Sequence, residues 1–157
     1  MIANKARPLR LIMILVPTVL IMLTVSTSIG AVLCVDSDMA TSGDGTCWSS
    51  PYKYIQEAVD AASDWDEIWV RMGTYVLESS IQINESIKIY GGFAGGEDER
   101  TQRDWKNNLT TVHGNDKVRC IQISFLGHPF EVTIDGLTLT HGTGGISVYG
   151  LVLNNIR

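Results

Sequence analysis

Two segments near the end of the chain repeat one pattern. Val132-Thr-Ile134-Asp-Gly136-Leu137-Thr-Leu139 and Ile146-Ser-Val148-Tyr-Gly150-Leu151-Val-Leu153 each give two alternating apolar residues, a residue and a glycine, then two more apolar residues. Fourteen residues separate Ile134 from Val148, and also Leu137 from Leu151. Alternation over so few residues is the signal of a short half-buried strand, and glycine between two strands marks a corner. Such strands, repeated without helices between them, point to the coils of a β-solenoid, in which each apolar side chain stacks on its equivalent in the next coil. Sandwiches and barrels also use short strands, but they do not call for this internal echo.

The same grammar extends toward the N-terminus. Ile68-Trp69-Val70 forms a β run that closes at Gly73, and Ile81, Ile83, Ile87 and Ile89 alternate with polar residues around a bend at Asn84-Glu85. Val32–Asp36 reads as a first strand, and 37–46 is turn chemistry with Gly43 and Gly45 around Asp44. One helix is expected, over Ser50–Ala62. Ser49-Ser50-Pro51 supplies a cap and a first-turn proline, and Tyr52, Ile55, Ala58, Val59 and Ala62 form one apolar face. Placed before the first coil, that helix would cover the open end of the stack. From Ile89 to Gly114 the chain breaks at Gly91-Gly92, crosses an acidic loop, packs back through Trp105 and re-enters β sequence at Leu109–Val112.

Residues 1–31 stand apart from this fold. Lys5, Arg7 and Arg10 precede the apolar run Leu11–Val25, and Ser26-Thr27-Ser28-Ile29-Gly30-Ala31 follows. A basic segment, an apolar segment and small residues form an export signal, cut after Gly30 or Ala31. The rival reading is a retained anchor, since the run nears the length that spans a bilayer. Leu33 is too large for a lipoprotein cleavage site before Cys34. Removing residues 1–31 takes away three of the 12 basic residues and none of the 17 acidic ones, leaving a formal charge of −8. An acidic chain without a basic cluster argues against nucleic acid or anionic lipid as partner; membrane contact would be confined to an uncleaved N-terminal segment.

Cys34, Cys47 and Cys120 allow three pairings. Cys34 and Cys47 bracket one short loop, which favours that bridge with Cys120 as a buried thiol; three reduced core cysteines are the competing reading. No cysteine–histidine cluster suggests zinc.

Several segments resemble the N-terminal part of secreted bacterial right-handed parallel β-helix proteins of the pectate-lyase-like superfamily. They are VLCVDSD, GDGTCWSSPYKYIQEAVDAA, DEIWVRMGTY and IYGGFAGGEDERTQRDWKNNLTTVHG, which cover most of Val32–Gly114; VTIDGLTLTHG and GGISVYG are similar to the coils that follow. Cys34 stands where an aromatic is usual, and Cys47 where serine or alanine is common. The resemblance implies an all-β fold: a right-handed parallel β-helix (solenoid) with an N-terminal amphipathic capping helix over residues 32–157. The family normally has many more coils, so the end at Arg157 reads as truncation.

Candidate chemistry is sparse. Asp36, Asp38 and Asp44 crowd one loop and Glu97, Asp98 and Glu99 another. Either could offer oxygen ligands to calcium, though neither has EF-hand spacing and solvated turns are the plainer reading. His113, His128 and His141 each sit at a turn and form no metal motif. Lyases of this fold use acidic calcium ligands and a basic proton acceptor, but Arg71, Lys88, Lys117 and Arg119 match no such motif. Trp48, Trp65, Trp69 and Trp105 could stack on sugar rings; packing is the expected role of Trp69 and Trp105. Asn84 and Asn108 head glycosylation-type triplets that matter only in a eukaryotic secretory pathway. The leading expectation is therefore an exported surface or extracellular protein with a structural or polysaccharide-contacting role. A polysaccharide lyase or hydrolase with its active site on missing coils is the alternative, and a membrane-anchored module is a third. N-terminal sequencing of exported material should find a chain beginning at Ala31 or Val32; an intact Met1 would establish the anchor instead.

Overall fold

The computed structural model describes residues 30–124 and 131–149, with side chains up to residue 147. The signal or anchor segment before residue 30, His128, Leu151 and Leu153 lie outside the described residues. Among those described, no helix is long and apolar enough to cross a membrane.

The fold is all-β, strand-rich with few helices, and its sheets are parallel. Among the described residues ten strands run in chain order: β1 (Val32–Val35), β2 (Glu67–Arg71), β3 (Gly73–Val76), β4 (Ile81–Ile83), β5 (Lys88–Phe93), β6 (Thr110–His113), β7 (Ile121–Ser124), β8 (Thr133–Asp135), β9 (Leu137–Thr140) and β10 (Ile146–Tyr149). They form three sheets, ordered β1-β2-β5-β8, β3-β6-β9 and β4-β7-β10. After β1 the chain visits the first, second and third sheet in that order, three times over.

Register turns this order into a core. Ile68 pairs with Ile89 and Ile89 with Ile134 in the first sheet. Tyr75, Val112 and Leu139 align in the second, and Ile81, Ile121 and Ile146 in the third. All but the last-strand members of these rows are buried at 5 % exposure or less. Each buried isoleucine contributes roughly 2 kcal/mol by leaving water, and like sits on like because a parallel ladder repeats its side-chain positions from strand to strand.

The terminal echo is not the stacking repeat. Its first copy is split at Gly136 into β8 and β9, and its second copy begins β10, so Ile134 belongs to the first sheet and Val148 to the third. Equivalent rows are separated by unequal lengths of chain because connections of different size leave the corners.

Two further expectations are corrected. The chain does not break at Gly91-Gly92: β5 runs through both. A Cβ on Gly91 would lie 2.3 Å from the Gly136 carbonyl oxygen, so the glycine permits two backbones to meet at this corner; Gly136 itself has φ +74°. Nor does Gly73 close a strand. It opens β3, which carries Tyr75 inward.

The helix, α1, spans Ile55–Ala61 rather than 50–62. Tyr52 instead pairs with the end of β1: its N–H donates to the Cys34 carbonyl and its carbonyl accepts from the Asp36 N–H, both at 2.8 Å. Two ladder bonds hold residues 51–53 extended, so the proline signal marks the approach to the helix and not its first turn. The Glu57 carboxylate accepts from the Tyr54 N–H at 3.2 Å and stabilises the true start. Ile55, Ala58 and Val59 are buried against the strands. The Gln56 amide meets the outer edge of β4, its oxygen accepting from the Gln82 N–H at 2.7 Å and its nitrogen donating to the Gln82 carbonyl at 3.2 Å. One side chain thus satisfies an edge residue that would otherwise present unpaired groups.

Ile55→Asp would bury a carboxylate with no partner on this apolar face. It should lower stability by about 3 kcal/mol or more in denaturant unfolding; an unchanged midpoint would contradict the burial of Ile55 against the strands.

Candidate functional site

The outer surface of the first sheet is covered, not free. Cys34, Trp69, Tyr90 and Asp135 follow one another in register on it, and a second cluster of Cys34, Trp69, Tyr90 and Phe93 lies there, separate from the main core. Trp69 stacks on Phe93 at 4.7 Å, and Trp48 tilts against the same ring at 5.7 Å. Cys34 and Cys47 are joined as a disulfide, with Cα atoms 4.4 Å apart, which holds Trp48 in place; Cys120 is free and buried. The Trp48 indole N–H donates to the Glu97 carbonyl at 2.8 Å, tying the first loop to the acidic loop after β5.

That acidic loop is built around its own backbone. The Glu97 carboxylate accepts from the N–H groups of Ala94, Gly95 and Gly96 at 2.6, 2.9 and 3.0 Å. Partial burial pushes its pKa up, but these amides outweigh burial and hold the carboxyl below the ordinary glutamate range. Farther along, the Tyr90 ring lies between the guanidinium groups of Arg100 and Arg103, 4.7 and 5.1 Å from its centre. Arg100 pairs with Glu67 at 2.6 Å, and Arg103 pairs with Asp135 at 2.6 Å and donates to the Gly91 carbonyl at 3.1 Å. These cations and carboxylates clamp the loop across three neighbouring strands.

The three aspartates proposed for calcium do not converge. Asp36 and Asp38 both face Arg71, at 2.8 and 3.2 Å. Asp44 accepts from the Thr46 hydroxyl at 2.6 Å and the Thr46 N–H at 3.0 Å, and those bonds lower its pKa. A guanidinium occupies the place between the first two carboxylates where a cation would have to sit, and the third closes its own turn. Among the described residues no group of three or more potential ligands could hold a metal ion. Glu99 lies at the start of a short 3₁₀ turn, Arg100–Gln102, and Asp98 is solvated.

Other candidates scatter. His113 and His141 are stacked, with ring centres 4.4 Å apart, and the His113 Nδ1 accepts from the Asn115 N–H at 3.0 Å. Lys88 belongs to the first sheet, in register with Glu67 and Thr133, whereas Lys117 lies in the turn after β6 and Arg119 beside Gly144. Trp65 and Trp105 are 48 % and 50 % exposed. The expectation that Trp105 packs its loop back is therefore corrected: its backbone, not its ring, lies against Gly92, and Lys106 sits over the ring at 5.3 Å.

The outer face of the second sheet is different. Thr74 aligns with Thr111, and Thr111 with Thr138, giving three threonines in one row across three strands. Thr74 and Thr138 are exposed and Thr111 is half-buried. With strands about 4.8 Å apart, the row presents hydroxyls and methyls at a regular interval. No loop interaction comparable to the clamp on the first sheet covers this row among the described residues. Sequence reading missed it because the three threonines are separated by unequal connections and only register aligns them. No family model, curated protein or solved structure matches this chain.

Replacing Cys34 and Cys47 together by serine should cost about 3 kcal/mol, the usual effect of opening a loop of this size, and should quench the protection of Trp48 in solvent-accessibility fluorescence. Unchanged stability and Trp48 accessibility would show that the clamp stands without the bridge.

Proposed function

We propose that the chain is an exported right-handed parallel β-helix protein resembling the pectate-lyase-like superfamily, acting at or outside the cell surface as a structural element that contacts polysaccharide. The helical reading is supported by the threefold visit to the sheets in constant order, since crossovers between parallel strands are right-handed in nearly all proteins. The export reading is supported by residues 1–31, by the acidic remainder and by the Cys34–Cys47 bridge, which suits an oxidising compartment.

The observation that carries the binding role is the row Thr74, Thr111 and Thr138. Hydroxyls both donate and accept, as sugar hydroxyls do, and a rigid sheet offers them without ordering a loop. The reading assigns no catalytic group: Arg71, the cation nearest the candidate aspartates, is held by Asp36 and Asp38.

Affinity electrophoresis against soluble cell-wall polysaccharides tests it. Retardation by at least one acidic or neutral polysaccharide is expected. Thr111→Ala should weaken it several-fold while changing stability by less than about 1 kcal/mol. Unretarded migration on every polysaccharide would remove the binding role. Calcium-dependent release of unsaturated, ultraviolet-absorbing product from pectin would replace it with the lyase reading.

A further inference from the structure

The three sheets do not begin alike. The first is extended beyond β2 by β1 and then by Tyr52, and the third is closed by α1 through Gln56. The second begins at β3, and among the described residues nothing pairs with its outer edge. The Gly73 N–H donates to the Leu109 carbonyl at 3.0 Å and the Leu77 N–H to the His113 carbonyl at 2.8 Å. In a parallel ladder, alternate residues bond to the same neighbour. The N–H and C=O groups of Thr74 and Val76 therefore point the other way.

They point into a cleft of 510 Å³ whose walls include Lys53, Tyr54, Gln56, Thr74, Val76 and Glu78. It occupies the position that a strand of the second sheet would take if the chain did not leave at Ser37 for its long outer loop. Val76 and Tyr54 are 56 % and 57 % exposed there.

We propose that this cleft is a docking site for an extended segment of a partner polypeptide, which adds to β3 as a parallel strand. The row of amide donors and acceptors at strand spacing is complementary to peptide backbone, and the addition continues the β9-β6-β3 ladder. The cleft matches a strand about as long as β3, four residues. Its inward residue would face the side of the cleft lined by Ile55, Tyr75 and Ile81 and so suits an apolar type; its outward residues would join Thr74 and Val76 and suit β-branched types. Glu78 lines the cleft just beyond the C-terminal end of β3, so a basic residue after the fourth position completes the match. This site uses the backbone edge of β3 and the polysaccharide role uses the outward side chains; Thr74 belongs to both, and Thr111→Ala, which weakens only the polysaccharide role, separates them.

The test uses the exported protein and the blocked peptide acetyl-Leu-Thr-Leu-Thr-Lys-amide, which carries the β9 sequence and an added lysine. Hydrogen exchange followed by NMR should show slower exchange at the Thr74 and Val76 amides when the peptide is present. A peptide N-methylated at the positions facing β3 should bind about tenfold more weakly or worse, since it loses the ladder bonds. Unchanged exchange at millimolar peptide, equal binding of the methylated peptide, or protection of these amides by trigalacturonate or cellotriose in place of the peptide would each overturn the proposal.

Discussion

Stacking of like apolar residues between parallel strands is the interaction on which everything else rests. Ile68, Ile89 and Ile134 form one row, and Tyr75, Val112 and Leu139 and then Ile81, Ile121 and Ile146 form two more. The three rows face one another in a single core. A shift of one residue in any strand would turn its inward set outward. Register is therefore fixed by burial, and corners can differ in length without disturbing it. This freedom is why one connection can carry a short bend at Asn84-Glu85 and another the whole of 94–109.

Stacking also leaves open edges, and the molecule treats them unequally. Tyr52 extends β1, and Gln56 of α1 answers the backbone of Gln82. The edge of β3 has no such device among the described residues. The long loops serve the other exposed surface. The Cys34–Cys47 bridge, Trp48, Phe93, and Tyr90 between Arg100 and Arg103 seal the outside of the first sheet. The charged residues that looked most like a site are largely spent in holding these loops, whereas the plain threonine row on the second sheet stays available.

Much of the architecture was legible in the sequence because its signals are local. Alternating isoleucines announce half-buried strands whatever their partners, and the apolar face of α1 is visible over two turns. What failed depended on contacts distant in sequence. The echo between Val132–Leu139 and Ile146–Leu153 suggested stacked equivalents, yet Ile134 lies in the first sheet and Ile146–Tyr149 in the third, since the same short alternation serves a strand of any sheet. Ser50-Pro51 read as a helix start because pairing of Tyr52 with β1 is a long-range event. Gly91-Gly92 read as a break, when the glycines serve a backbone approach to Gly136. Arg71 gave no sign that it would hold Asp36 and Asp38 from 33 to 35 residues away, and so the carboxylates looked free.

The central claim is the pairing of strands in parallel across the three sheets, and backbone nuclear Overhauser effects between strands test it most directly. The account predicts contacts linking Thr74 with Thr111 and Thr111 with Thr138, and a matching series through Ile68, Ile89 and Ile134. Antiparallel contacts within these strands, or direct pairing of residues 133–140 with 146–149, would contradict it.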